Sequence, residues 1–321
     1  MTKAQETLLT GLDGSNSLAF LAALGTLRAV TRLDREARLA WTLAAGWRPL
    51  LQSHLGRDEL PPMLHEELAR MAAVPWPETE TGSGRVLARN ITLSVAEYRD
   101  WARSAPAGNE ALHAEWAASL ATDGAESGSG TVRDTALRTM SGVGHQHFLE
   151  SFRLLAETTS HEQLEEALFG PWRYEDEQPF LRWDPFDDRR HALRWKNPSK
   201  DPGRTVRGAN RLALEALPLF PVVPVANDVR TVGFTSRKEP GVRRTATWWT
   251  WPIWETPLSL DATRTLLALP DLQFETVERE RLRLLGVSEI FRAQRLTVDK
   301  YRNFTPAASV GSRDSLLEER R

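Results

Sequence analysis

Asp13-Gly-Ser-Asn-Ser-Leu-Ala-Phe-Leu-Ala-Ala-Leu-Gly-Thr-Leu-Arg-Ala-Val30 starts the apolar pattern of this chain and decides how its N-terminal half folds. Asp13 to Asn16 combine turn chemistry with side chains that accept hydrogen bonds from the free N–H groups of a helix start. Leu18, Leu21, Ala22, Leu24 and Leu27 then recur at helical spacing. This predicts a buried helix. The run from Leu18 to Val30 is interrupted by Gly25 and Arg28 and falls far short of the roughly 20 residues that a membrane span needs, so it is not read as a signal or an anchor.

Working outward, 321 residues with 41% hydrophobic content can build a substantial core in one large domain or two modest ones. The formal net charge of −2 and a pI near 6.4 exclude a histone-like polycation, so any polyanion contact must be local. There is no cysteine, which excludes disulfides, thiolate metal sites and cysteine nucleophiles and fits a reducing, cytoplasmic location without a membrane partner.

Leu39 to Leu43 and Trp47 to Leu55 read as a strand or turn leading into a second helix, and Pro61-Pro62 as a break before helical Met63 to Val74. The glycine-rich segments 77–84 and 123–130 read as mobile loops. Between them, strand-like Val86 to Val95 precedes the capping box Ser94-Val-Ala-Glu97, which opens a helix carrying Tyr98, Trp101 and, further on, Trp116. A helical stretch after Asp134 is expected to reach Ser141, and Phe148, Leu149, Phe152, Leu154 and Leu155 give another helix. From Pro171 onward the pattern changes. Strands are expected at His191 to Trp195, Arg230 to Ser236 and Thr245 to Glu255, and an N-capped helix at Asp261 to Leu269. The fold class is therefore α+β, a helix-rich N-terminal half followed by a mixed, mainly antiparallel sheet region. The expected divisions are 1–170, mainly helical; 171–304, α+β and basic; and 305–321, a partly disordered tail. Twelve tryptophans stand against three tyrosines, and the cluster Trp248, Trp249, Trp251 and Trp254 reads as a packing layer.

The charge is in patches. Arg182 to Arg211 holds nine Lys/Arg against four Asp, about +5 in an otherwise balanced chain. Arg189, Arg190, Arg194, Lys196, Lys200, Arg204, Arg207 and Arg211 fit phosphate oxygens, with Trp183 and Trp195 as stacking faces; the alternative is a solvated surface over two core tryptophans. Arg204, Arg207 and Arg211 would line one face of a helix. Gly142 and Gly144, with His145, sit before a helix and offer backbone donors to a phosphate, or form a plain turn. His145 and His147 are two residues apart, a poor metal arrangement, though an imidazole can act as a general base. Asp184, Asp187 and Asp188 suggest a carboxylate metal site only until the adjacent Arg189, Arg190 and Arg194 are counted, which favour ion pairs or turn hydrogen bonds. Arg237-Lys238 and Arg243-Arg244 flank Pro240-Gly241 as a basic hairpin tip, suited to a groove or to solubility. No metal site and no cofactor motif is assigned.

Gly11 to Gly25, Gly142 to Leu149, Trp183 to Leu193, and Arg207 to Ala213 leading into Leu217-Pro-Leu-Phe-Pro221 together resemble CRISPR-associated proteins of type I-G, formerly I-U. The resemblance is to the Cascade large-subunit-like or helicase-nuclease-extension families, with Ser17 standing where a proline is expected. It implies an antiviral-defence subunit whose partners are CRISPR RNA and/or target DNA, other Cascade subunits and the helicase-nuclease. With no Walker motif and no His-Asp nuclease signature, the expected role is non-catalytic RNA or DNA binding rather than an enzyme. About five neutralised phosphates predict a single-strand salt slope of roughly −3 to −4. Two other readings remain: a metal-independent ribonuclease using His145 or His147, and a protein-binding adaptor with a tryptophan-rich interface.

Overall fold

The computed structural model describes residues 4–72, 75–140, 147–187, 203–226, 228–238, 245–274, 277–298 and 301–310. It is an α+β protein, 37% helix and 29% strand, with helices mostly in the first half and antiparallel sheets later. No helix among the described residues is long and apolar enough to cross a membrane.

Strand β1 (Gln5–Leu8) leads into α1 (Ser17–Leu33), then β2 (Arg38–Leu43) and β3 (Trp47–Ser53). The three strands form an antiparallel sheet in the order β1-β3-β2. As expected, Asn16 caps α1, its side-chain oxygen accepting from Leu18 N and Ala19 N at 2.9 and 3.1 Å. Helix α2 (Leu60–Met71) contains Pro61 and Pro62 in its first turn. The prolines therefore start the helix rather than interrupt it, because first-turn N–H groups have no intrahelical acceptor to lose.

The segments expected to be mobile loops are instead largely paired. Antiparallel β4 (Glu78–Thr81) and β5 (Gly84–Leu87) form a hairpin, so only the start of the predicted Val86 to Val95 strand exists. Ser94 and Glu97 make the predicted capping box on α3 (Val95–Arg103). Trp116 belongs to a separate helix, α4 (Glu110–Leu120). Next, β6 (Ala121–Glu126) pairs with β7 (Val132–Asp134). The helix expected after Asp134 is absent from the described part of that stretch. Its polar groups are taken by distant partners: Thr139 Oγ1 donates to Leu181 O and Leu137 O accepts from Trp183 Nε1.

Helices α5 (Phe148–Thr158), α6 (His161–Phe169) and α7 (Arg207–Leu214) complete the helical layer. Hairpin β8 (Val222–Val225) and β9 (Asp228–Thr231) precedes β10 (Phe234–Lys238) and β11 (Thr245–Trp254), followed by α8 (Leu260–Leu267) and α9 (Arg279–Leu284). Then β12 (Val287–Val298), β13 (Tyr301–Phe304) and β14 (Ala308–Ser309) build the second sheet, β10-β11-β12-β13, with β14 also on β12. The expected strand Arg230 to Ser236 is thus two strands with a turn at Gly233, whose φ is +79°. Lys238 pairs with Thr245 across the expected basic hairpin, while its tip and the candidate strand His191 to Trp195 lie outside the described residues.

The tryptophan run is a packing layer, as expected, at Trp249, Trp251 and Trp254, whereas Trp248 falls on the other face of its strand and is only half-buried. Trp249, Trp251 and Ile253 share one face of β11 and are fully buried, with Phe20 of α1 at ring-centroid distances of 6.1 and 5.7 Å from Trp249 and Trp251. Their neighbour Trp254 donates to Leu39 O, and Trp251 donates to Gly14 O in the turn ahead of α1. One continuous apolar core runs from Leu9 to Phe304, crossing the expected division at residue 170.

Helix α7 lies in the middle of that core. A Cβ added at Gly25 would sit 1.8 Å from Leu212 O, and one added at Gly208 would sit 1.9 Å from Gln163 O. Backbones therefore touch on both sides of α7. Gly25→Ala is expected to cost about 2–3 kcal/mol by overpacking, whereas Gly82→Ala, with nothing within 4 Å, should change stability little; urea denaturation of both variants checks this. Burial raises the Glu97 carboxyl, but bonds from Thr79, Glu80 N and Ser94 N outweigh it and lower its pKa from 4.5 to about 2. Because the folded value is the lower one, this stabilisation is present above pH 4.5 and lost as pH falls toward 2. Glu97→Gln should cost about 1 kcal/mol at pH 7, with the difference closing near pH 2 in acid titrations followed by circular dichroism.

Candidate functional site

Of the residues assigned to nucleic-acid contact from the sequence, Arg189, Arg190, Arg194, Lys196, Lys200, Gly142, Gly144 and His145 lie outside the described residues. The others do not form one helical face. Arg204 precedes α7, where its Nη1 donates to Glu175 O and its Nη2 lies 3.4 Å from the Glu177 carboxylate. Arg207 begins the helix, its backbone N–H capped by Asp176 Oδ2 and its guanidinium directed at the carbonyls of Glu177 and Gln178.

Arg211 is a correction to the expected surface. Only 3% of its side chain is exposed; it pairs with Glu215 at 2.6 Å and donates to Leu68 O. The i,i+4 spacing that suggested a basic stripe instead turns Arg211 into a buried network in which Glu215 also receives Arg28, Arg28 binds Glu115, and Glu115 receives Arg264. Trp183 is likewise fully buried and donates to Leu137 O, so it offers no stacking face. Asp184 is buried, accepting from Asn16 Nδ2 and Tyr174 Oη at 3.0 Å each, which ties this segment to the start of α1. Among the described residues no three His, Cys, Asp or Glu side chains are grouped to hold a metal.

His147 sits at the N-cap of α5 and is 8% exposed. Its Nδ1 is 2.9 Å from Asn90 Nδ2, while Asn90 Oδ1 accepts from Phe148 N. An amide nitrogen only donates, so Nδ1 is the acceptor and the neutral ring carries its proton on Nε2. This arrangement fastens the helix start to the 90s loop.

A different group of cations comes together at the far end of the second sheet. Side chains opposite one another in a sheet share a face, and β11 to β13 align Thr247 with Arg295 with Phe304 and bring Arg302 two pairs further along, on that same face. The face that carries Trp249 into the core therefore continues outward as Arg295 and Arg302. There they meet Asp134 and Arg138 at the end of β7 in a cleft of about 650 Å3, whose rim includes Arg230, Val225, Gln273 and Phe274.

The charges in this cleft do not balance. Arg138 Nε lies 2.6 Å from Asp134 Oδ2, and Arg295 Nη2 donates to the Arg138 carbonyl, while Arg295 Nε is sealed from solvent without a hydrogen-bond partner. Arg302 and rim residue Arg230 make no hydrogen bond or ion pair among the described residues. Rim residue Asp228 pairs with Arg133, at 3.0 Å. Burial, followed by repulsion from Arg302, pushes the Arg295 guanidinium down to about 10, and burial with repulsion from Arg138 lowers Arg302. Three guanidiniums surround one carboxylate, an excess of positive charge that is chemically suited to an anion.

Sequence reasoning passed over all four floor residues because they come from three separated segments. The available signal was Arg295 falling in the same alternate positions as Val287, Phe291 and Ala293, an arginine where the core face of a strand should continue.

Compared with known proteins, the chain matches no family model and no curated protein.

The mutual repulsion of these guanidiniums predicts that Arg302→Leu raises stability by about 1 kcal/mol at low salt. Urea denaturation reads the change, and a drop of several kcal/mol would mean that Arg302 holds the fold together.

Proposed function

We propose that this protein is a non-catalytic nucleic-acid-binding subunit or accessory of a type I CRISPR effector, holding guide RNA and/or target DNA beside other Cascade subunits. The resemblance in residues 11–25, 142–149, 183–193 and 207–221 supports the class, and the arginine cleft supports the binding role. The observation that carries the reading is the excess of guanidinium over carboxylate at Arg138, Arg295 and Arg302, continued at the rim by Arg230. Guanidinium forks match phosphate oxygens in pairs, and an aromatic rim residue, Phe274, 57% exposed, offers a stacking face to a base. Such contacts grip any sequence alike. Sequence choice would then come from base pairing by the guide.

The burial of His147 and the engagement of its Nδ1 by Asn90 speak against that imidazole as the base of a ribonuclease. In anisotropy titrations with a labelled single strand, the log–log salt slope should be roughly −2 to −3 if the cleft floor and rim together neutralise three to four phosphate charges. Replacing Arg230 and Arg302 together by Glu should weaken binding at least tenfold and flatten the slope by about 1.4. A slope near zero, or one unchanged in the double variant, would overturn the assignment of the cleft.

A further inference from the structure

We propose that the cleft receives a phosphate monoester, the phosphorylated end of a strand, rather than an internal phosphodiester. The inference rests on the reading of the cleft as a nucleic-acid site and narrows what enters it.

Charge gives the first argument. Asp134 compensates one of three clustered guanidiniums, leaving an excess of two positive charges at the floor. A phosphodiester brings one negative charge and two free oxygens. A monoester brings about −1.5 to −2 and three strong acceptors, so it neutralises the floor more completely. Arg302, which lines the cleft and makes no hydrogen bond or ion pair among the described residues, supplies donors for that third oxygen.

Shape gives the second. At about 650 Å3 the recess is in the range that encloses one small ligand. An internal phosphate can reach the floor only if the nucleosides on both sides descend with it, whereas an end needs one. Arg138 and Asp134 have side chains only 14% and 17% exposed, so the charge sits at the bottom and not along a track. Phe274 and Gln273 stand at the opening. Their backbone is held in place, since Phe274 O accepts from Arg292 Nη2 at 2.7 Å and Gln273 O accepts from Thr235 Oγ1 at 3.0 Å. A terminal base can lie on the Phe274 ring while its phosphate reaches the arginines.

The same chemistry is carried by a free mononucleotide and by inorganic phosphate, and competition separates these sources. Labelled single strands of one sequence would be titrated with a 5′-phosphate, with a 3′-phosphate and with hydroxyls at both ends, and the bound strand would then be displaced by adenosine monophosphate or by phosphate ion. One phosphorylated end should bind at least tenfold tighter than the hydroxyl-ended strand. Arg302→Gln should remove that advantage while circular dichroism reports an unchanged fold, and Arg302→Lys should restore part of it. Phe274→Ala should weaken the phosphorylated strand and the mononucleotide severalfold but leave phosphate ion unaffected. Displacement by mononucleotide as effective as by strand would identify a nucleotide as the ligand and keep the monoester assignment. Equal affinity for phosphorylated and hydroxyl-ended strands would overturn the end reading. If that shared affinity still depends on salt and on Arg230 and Arg302, the broader nucleic-acid reading stands alone; if no strand binds at all, both fall.

Discussion

The backbone of Arg207–Leu214 touches two other helices directly, through Gly25 on one side and Gly208 on the other. A crossing this close has no side chain to absorb a shift, so it fixes the mutual positions of α1, α6 and α7 far more tightly than ordinary apolar packing. Arg28, Glu215 and Arg211 add hydrogen-bonded charges to the same crossing, all three almost fully buried. Replacing such a group with a well-packed apolar one can be neutral, but leaving one charge without its partner costs about 3–5 kcal/mol. The network therefore penalises any alternative packing of α7 more than it adds to stability. What it contributes is a single register.

That register reaches the second sheet through α1. Phe20 lies against Trp249 and Trp251, the turn before α1 accepts the Trp251 indole proton, and Asn16 and Ser17 hold Asp184 and the Trp183 carbonyl. Strand β11 is thereby fixed against the helical layer, and β12, paired along most of its length, carries Arg295 to a defined place. The strings that support the resemblance stand largely in this framework. Gly25, Trp183, Gly208 and Asn210 all pack or bond inside the protein. They specify how the chain folds, and the charged cleft is assembled by residues outside those strings.

Local chemistry was legible in the sequence wherever both partners lay within one turn. Asn16 needs only the N–H groups of Leu18 and Ala19, and Ser94 and Glu97 need only each other, so the starts of α1 and α3 were readable. The strand Thr245 to Glu255 and the packing role of its tryptophans were readable because they too rest on a short run of neighbouring residues. Residues 134–140 were not, since their polar groups are claimed by Leu181 and Trp183 more than forty positions away. The paired prolines were misread as a break because the rule that forbids proline inside a helix reverses in its first turn. Arg211 was misread because spacing gives a residue's direction around a helix but not which side faces the core. Glu215, four positions on, was the readable warning.

Two clusters of arginine in one small protein thus have opposite states. Around α7, Arg28 and Arg211 share Glu215, Glu115 links Arg28 onward to Arg264, and Arg264 also meets Asp261 at 3.4 Å, so three cations face three carboxylates. At Arg138, Arg295 and Arg302 the fold brings together an excess of cations and pushes two of their pKa values down. Removing the Arg302 guanidinium would relieve this repulsion. The first cluster has its carboxylates within the fold, whereas the second keeps an excess of guanidinium, which is what supports the proposed anion-binding role. Under the proposed role, that repulsion would be part of the binding free energy, because an entering anion would gain the attraction of donors that the folded chain has already gathered and partly desolvated.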